Sequence, residues 1–320
     1  MSLSEFDIIH RFFRREHKVP GVTLGIGDDA ALLAPAAGMS LAVTVDTLVA
    51  GRHFPEQTDA ASIGYKALAV NLSDLAAMGA QPGWATLALT LPDVNEDWLT
   101  GFAEGFFQLA DRFNVALVGG DTTRGPLSIT VQALGQVDTV HALRRDAAKP
   151  GQHIFVTGTP GDAACALQQL RAGESVAEEM LVRLNRPEPR VAFGQALAGV
   201  AAAAIDVSDG LLADIQHVLD ASRCGAQVNV DAITRSRGLQ VLDDEVALAC
   251  QLNGGDDYEL CFTADTDCVE QIYRAAEDCD LSIAEIGIIE PLSGMRCVRA
   301  DGSPYAPVIE GFDHFRKADV

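Results

Sequence analysis

The sequence predicts two successive α/β or α+β halves. Three observations carry this. Apolar runs of strand length alternate with helix-length amphipathic segments, and some strand candidates follow one another as hairpin-like antiparallel pairs. A polar stretch, Asp138–Gly151, holds Arg144, Arg145 and Lys149 and closes with Pro150-Gly151. The expected division is therefore 1–137, a linker over 138–150, and 151–320. A chain of 320 residues with 48% hydrophobic content is long enough for two ordinary domains with real cores.

The first half opens with an amphipathic helix placing Phe6, Ile9, Phe12 and Phe13 on one stripe. Its Arg11, Arg14, Arg15 and Lys18 read as a solvated face. Ala30–Leu33 and Leu41–Val45 read as strands, the second running straight into Asp46. Ala60–Met78 reads as a helix on which Asn71 and Asp74, three residues apart, share a face. Trp84–Leu91 alternates as a strand until Pro92. Asp93 or Asn95 is the expected cap of a helix carrying Leu99, Phe102, Phe106, Leu109 and Phe113 at core spacing. A short strand, Ala116–Val118, ends at Gly119-Gly120-Asp121, and Leu127–Val137 is the last long strand of this half.

The second half restarts with a strand at His153–Thr157, followed by GTPGD and a helix from about Ala163. LNRPEPR (Leu184–Arg190) is a Pro-punctuated connection. Strands are expected at Ala203–Asp206, near Gln227–Val230, Tyr258–Thr263, Ile283–Ile289 and Arg296–Arg299. Helices are expected at Leu211–Ser222 and around Asp267–Asp280.

The net charge of −22 argues against nucleic acid as a partner, because a phosphate backbone needs a basic surface. It leaves room for a phosphate ligand where metal reverses the local sign. Seven scattered Cys without a CxxC pair, the first at Cys165, suit buried thiols in a reducing cytoplasm. The N-terminus lacks a long apolar core, so no signal peptide is expected. The Ala-rich run near Ala196–Ile205 is too short for a bilayer.

Carboxylates recur at the ends of apolar runs beside Gly, Ser or Thr: Asp28 and Asp29 in GIGDDA, Asp46 in TVDT, Asp74 in NLSDLAAMG, Asp121 in VGGDTT, Asp206 and Asp209 in IDVSDG, and Asp256, Asp257 and Glu259 in NGGDDYE. Taken singly, each could be a helix cap or turn residue. Gathered at one edge of a fold, so many anions need cations between them. Oxygen ligands of this kind select Mg²⁺ or Mn²⁺, with phosphates completing the shell. That points to metal-dependent phosphoryl transfer. GxxxxGK[ST], the kinase HRD and DFG set and a nucleophile elbow are all absent, and LGIGDD lacks the third Gly of a dinucleotide fingerprint. Positioning plus charge neutralisation remains as the route.

GIGDDAALL, TVDTLVAGRHF, YKALAVNLSDLAAMGA, VGGDTTRG, AIDVSDGL and GGDDYELCF, in this order, resemble the thiamine-monophosphate kinase family. That family sits in the superfamily of aminoimidazole ribonucleotide synthetase and selenophosphate synthetase. The resemblance covers the chain through the closing EGFDHF. It implies an N-terminal α/β half that binds ATP and Mg²⁺ and pairs its sheet with that of a second copy in a homodimer. It also implies a C-terminal α+β half covering the cleft. The implied reaction moves the γ-phosphoryl of ATP onto thiamine monophosphate, giving thiamine diphosphate and ADP.

By motif, the resemblance implies Mg²⁺ ligands at Asp28, Asp29, Thr44, the Val45 carbonyl, Asp46, Asp74, Asp121, Asp206 and Asp209. Nucleotide contacts fall on Gly120, Asp121, Arg145 and Ser208, with Arg145 favoured over Arg144 by register alone. Substrate contacts fall on His53, Asp256 and Phe312; relatives often carry Glu at the second, and a Tyr can stand at the third. Lys66 reads as a solvated helix lysine, and Trp84 and Trp98 as core or interface packing. Selenophosphate synthesis would call for a reactive Cys near the N-terminus, and hydrogenase maturation for a Cys-containing tail; this chain ends FRKADV. A nucleotide-binding dimer without catalysis is the non-enzymatic alternative.

Overall fold

A computed structural model describes residues 3–15 and 19–307. The chain divides into two compact units, Met1–Leu75 with Ala80–His141, and Ala76–Gly79 with Ala142–Val320.

The first unit begins with α1 (Glu5–Ile8). Ser4 caps it by accepting the Asp7 N–H at 3.2 Å, while the Asp7 carboxylate accepts the Ser4 N–H at 2.9 Å. At Ile9 the helix widens into a π turn reaching Phe13, closed by the Arg14 N–H on the Ile9 carbonyl at 2.9 Å. The wider turn breaks the expected stripe: Ile8 and Phe13 are buried and Phe6 is exposed. Arg11 and Arg15 lie along a neighbouring helix, α3 (Glu96–Arg112). Arg11 pairs with Glu96 at 2.6 Å, and Arg15 stacks over the Phe107 ring at 3.6 Å.

A hairpin of β1 (Val22–Leu24) and β2 (Leu32–Leu33) follows, then β3 (Ser40–Val49), α2 (Ala60–Ala77), β4 (Gln81–Leu91), α3 (Glu96–Arg112), β5 (Ala116–Arg124) and β6 (Ser128–Val137). The sheet order is β3-β6-β4-β5, with only β4–β5 parallel. Asn95, not Asp93, caps α3, accepting the N–H groups of Asp97 (3.0 Å) and Trp98 (3.1 Å). α2 and α3 touch backbone to backbone. A Cβ at Gly64 would lie 2.0 Å from the Phe102 carbonyl oxygen, and one at Gly105 would lie 1.8 Å from that of Ala61.

Two strands run longer than expected. β3 continues to Val49, so Asp46 sits within the ladder, opposite Val131. β5 passes through Gly119-Gly120-Asp121 to Arg124 instead of stopping there. In both cases cross-strand pairing carries the strand past residues that local propensity reads as a stop.

The faces of this sheet also differ from expectation. Leu87, Leu89 and Leu91 of β4 are buried inside the unit, Leu89 to 1% exposure, so they offer no surface for a second copy. They share a face with Ala133 and Gly135, the latter touching Leu75 of α2. Trp84 points the other way and is covered by the β1–β2 hairpin through Val22 and Leu33. The open apolar surface instead belongs to β3: Leu41, Val43 and Val45 alternate outward, the last two 53% and 56% exposed.

The second unit holds β7 (His153–Thr157), α4 (Asp162–Ala172), α5 (Glu178–Asn185), α6 (Val191–Leu197), β8 (Ala203–Val207), α7 (Leu211–Ser222) and β9 (Gly225–Asn229). There follow α8 (Arg237–Gln240), α9 (Asp244–Asn253), β10 (Glu259–Ala264), α10 (Val269–Asp278), β11 (Ile283–Glu290), β12 (Gly294–Val298) and β13 (Pro304–Tyr305). They form a seven-stranded sheet, β13-β12-β9-β11-β7-β10-β8, in which only β9–β12 is parallel. Ile154, Val156, Ile205 and Val207 pack with Leu211, Ile215 and Leu219 of α7. On the other face Phe155 and Phe262 stack at 5.2 Å, flanked by Phe193 of α6 and Tyr273 of α10. Helices on both faces of a mixed sheet account for the buried strand pattern.

All seven cysteines are free, and most are buried. Among the described residues no helix is long and apolar enough to cross a membrane.

Candidate functional site

The predicted site residues fall into three groups, two in the first unit and one in the second.

The first group lines a cavity of about 890 Å³ beside β5. The loop of the β1–β2 hairpin brings Asp28 and Asp29 to its rim, and β5 supplies Gly120 and Asp121. Phe6, Ile9 and Phe13 form an apolar wall. The Asp28 carboxylate accepts the Asp29 N–H at 2.8 Å, so Asp28 is turned back into its own loop. Gly120 has φ +149°, and a Cβ there would lie 1.8 Å from the Leu87 carbonyl oxygen, so no side chain fits. An apolar wall facing carboxylates suits a ligand with a ring at one end and cation-bound phosphates at the other.

The second group gathers where β3 meets α2. The Thr44 hydroxyl donates to the Asp74 carboxylate, and Asp46 points to the same face of β3 as Thr44. Asn71 does not join them: its Nδ2 donates to the Ala67 carbonyl of its own helix at 3.1 Å. His53 sits just past β3. Its Nδ1 accepts the Val49 N–H at 2.9 Å, so a neutral ring carries its proton on Nε2. Lys66 is not the solvated lysine expected. It is 2% exposed and donates to the His53 carbonyl at 3.3 Å, holding that loop.

These two groups do not meet within one chain. The register aligns Asp46 with Val131, Leu87 and Gly120, and Thr47 with Thr130, Ala88 and Asp121. Asp46 and Asp121 thus stand on the two edge strands, on opposite faces. Three strand spacings alone separate those edges by about 14 Å.

The third group lies in the second unit. Asp206 lies one residue before the end of β8, and Ser208 and Asp209 form the turn leading into α7. That turn is laced to the GGDDY loop: Asp256 N–H donates to the Ser208 carbonyl (2.9 Å), and Tyr258 N–H to that of Val207 (2.8 Å). Asp256 (φ 69°) and Tyr258 (φ 52°) both take the left-handed conformation, which concentrates at functional turns, and the Tyr258 hydroxyl donates to the Asp256 carboxylate at 3.0 Å. Arg144 is tied to Asp146 at 2.8 Å, whereas Arg145 is held by its carbonyl, which accepts from the Ser222 hydroxyl of α7 at 2.8 Å.

Sequence reasoning missed Asp214. It is 2% exposed, and its carboxylate accepts the N–H groups of Ser208 (3.0 Å) and Asp209 (3.2 Å). Burial, then the charge of Asp209, push its carboxyl up to about 7; the two N–H bonds and Arg145 pull the other way. Asp209, Asp214 and His217 offer ligand atoms within 4.8 Å of one another. The available signal was an Asp inside the apolar stripe of a helix, LLADI, where a solvated residue would not fall. Phe312 lies outside the described residues.

The family model for AIR synthase related protein, N-terminal domain, matches residues 27–137, and that for the C-terminal domain matches 149–297. The thiamine-monophosphate kinase of Salmonella typhimurium is 47% identical, covering 98% of this chain and 99% of that protein. The chain belongs to the thiamine-monophosphate kinase family. The crystal structure of thiamine-monophosphate kinase from Stenotrophomonas maltophilia K279a superimposes with a TM-score of 0.85 at 48% identity, covering 95% of this chain and 99% of that one. AaThiL complexed with AMPPCP and TMP gives a TM-score of 0.77 at 28% identity, covering 88% and 89%. Family membership accounts for both domains and for the order of the acidic motifs along them.

Proposed function

We propose that this chain transfers the γ-phosphoryl of ATP directly to thiamine monophosphate, forming thiamine diphosphate and ADP. The observation that carries this is full-length likeness to thiamine-monophosphate kinases, together with a related structure complexed with AMPPCP and TMP. A phosphate oxygen of thiamine monophosphate attacks the γ-phosphorus, and the bond to the β–γ bridging oxygen of ATP breaks. No side chain needs to take the phosphoryl group on the way.

The donor set of carboxylate and hydroxyl oxygens fits Mg²⁺. Asp28, Asp29, Thr44, the Val45 carbonyl, Asp46, Asp74, Asp121, Asp206 and Asp209 would hold the ions. Bound Mg²⁺ would offset the charge of the phosphates. Gly120, Asp121, Arg145 and Ser208 take the nucleotide, the glycine by letting backbone approach closely. His53 donates from Nε2 to the phosphate of thiamine monophosphate, and Asp256, held by Tyr258, and Phe312 complete that substrate's site. Nucleotide and metal binding fall mainly to residues 1–137, with 138–150 as the linker and 151–320 as a C-terminal α+β domain.

The active form is a homodimer in the cytoplasm. The open face of β3, with Leu41, Val43 and Val45, is an apolar surface that a second copy would cover. Pairing also answers the separation of Asp46 from Asp121, because one subunit's β3 edge can meet its partner's β5 edge.

The test is ADP release by purified protein with Mg²⁺ and ATP. Release that requires thiamine monophosphate and matches thiamine diphosphate one for one is expected. ATP consumption independent of the acceptor would refute the assignment.

A further inference from the structure

We infer that Asp214 is a positioning residue for the nucleotide–metal end of the site, setting the Ser208–Asp209 turn through its backbone. This rests on the reading of Ser208 and Asp209 as nucleotide and Mg²⁺ contacts. The Asp214 carboxylate lies in the first turns of α7 and reaches back to the N–H groups of Ser208 and Asp209, at 3.0 and 3.2 Å. The opposite side of the turn is fixed too, because the Ser208 carbonyl accepts the Asp256 N–H at 2.9 Å. Ser208 is therefore held through both its N–H and its carbonyl, and its hydroxyl and the neighbouring Asp209 carboxylate have their direction set by backbone. Both N–H groups fall on one Asp214 oxygen, Oδ2, which accepts whether or not the other oxygen carries a proton.

Burying a carboxylate beside the carboxylate of Asp209 is costly. A turn with only a structural task could be capped by Ser, Thr or Asn at lower cost. The carboxylate here fixes where the Asp209 side chain emerges, while its own oxygens face the backbone. Arg145, whose charge acts on Asp214, joins the same unit of function: one arginine, one hydroxyl and one carboxylate around a common support.

The experiment titrates Mg²⁺ at saturating ATP and thiamine monophosphate, and measures KM for both substrates, in Asp214→Ala, Asp214→Asn and Asp209→Asn. Asp214→Ala should raise the Mg²⁺ needed for half-maximal activity about tenfold and raise KM for ATP, with KM for thiamine monophosphate within about twofold of wild type. Asp214→Asn keeps one acceptor oxygen and the shape of the side chain. It should shift about threefold, and it carries the test if the alanine variant does not fold. A purely structural role would lower thermal stability and scale kcat with the folded fraction while leaving the Mg²⁺ requirement where it was. If Asp209→Asn raises the Mg²⁺ requirement and neither variant at 214 does, the positioning role is overturned alone. If Asp209→Asn leaves it unchanged, the reading of Asp209 fails and takes this inference with it.

Discussion

Asp46 and Asp121 occupy adjacent rows of one four-stranded sheet, on its two edge strands and on opposite faces. Two carboxylates placed so cannot bind one ion from within a single chain. If both serve one phosphoryl-transfer site, that site is composed of two subunits. Asp46→Ala and Asp121→Ala should each abolish turnover as homodimers. Mixed by co-expression, they should regain about a quarter of wild-type activity, because half the dimers are mixed and each mixed dimer rebuilds one native site. No recovery from a mixture shown to contain heterodimers would place both residues in one subunit's site.

In the proposed dimer, the surface that would join the subunits is the open apolar face of β3. Val43→Lys puts a charge at the centre of the open apolar face without entering the core, so it should give folded monomers in sedimentation velocity. Leu89 would be the wrong position to test. It is buried in its own subunit, and a charge there would unfold the chain. A fully dimeric Val43→Lys protein would show that this face is not the interface.

Glu259 anchors the second unit. Its buried carboxylate takes Arg190 at 2.6 and 2.7 Å, the Thr157 hydroxyl at 2.5 Å, and Arg183. Burial alone would raise its carboxyl, but the two guanidiniums together outweigh burial and hold it at about 2, below the ordinary 4.5. A lowered carboxyl stabilises the fold above its unfolded value and loses that contribution as pH falls through the folded one. Glu259→Gln leaves two arginines facing a neutral amide and should cost about 3–5 kcal/mol at neutral pH. The gap to wild type should narrow between about pH 4.5 and about pH 2 in denaturant titrations. A gap independent of pH would mean that the ion pairs contribute little.

Much of this architecture is legible in the residues themselves. Leu99, Phe102, Phe106 and Leu109 announce α3 by spacing, Asn95 caps it, and the apolar run from Leu127 to Val137 is a strand over nearly its whole length. The missed features depend on partners distant in sequence. Asp46 and Gly119-Gly120-Asp121 look like strand ends because propensity stops there, yet pairing with β6 and β4 carries both strands on. α5 (Glu178–Asn185) and α9 (Asp244–Asn253) are hard to read locally, because the NRPEPR prolines end the first early and an acidic start opens the second. Leu87, Leu89 and Leu91 mark an apolar face, but alternation alone cannot say whether α2 or a second copy covers it. The acidic motifs were all visible; the split of Asp46 from Asp121, and the support given by Lys66 and Asp214, were not. A motif names a residue's type, and the sheet register decides what it can reach.

The proposed reaction passes a phosphoryl group directly from ATP to thiamine monophosphate with the acidic clusters loaded with Mg²⁺. The most direct measurement is a single-turnover reaction with ATP labelled at the γ-phosphorus, sampled with and without the acceptor. Label is expected in the terminal phosphate of thiamine diphosphate, one for each ADP formed. No labelled protein is expected when thiamine monophosphate is withheld, and no transfer in excess chelator. Label trapped on the protein in the absence of acceptor, or full transfer without divalent ions, would contradict it.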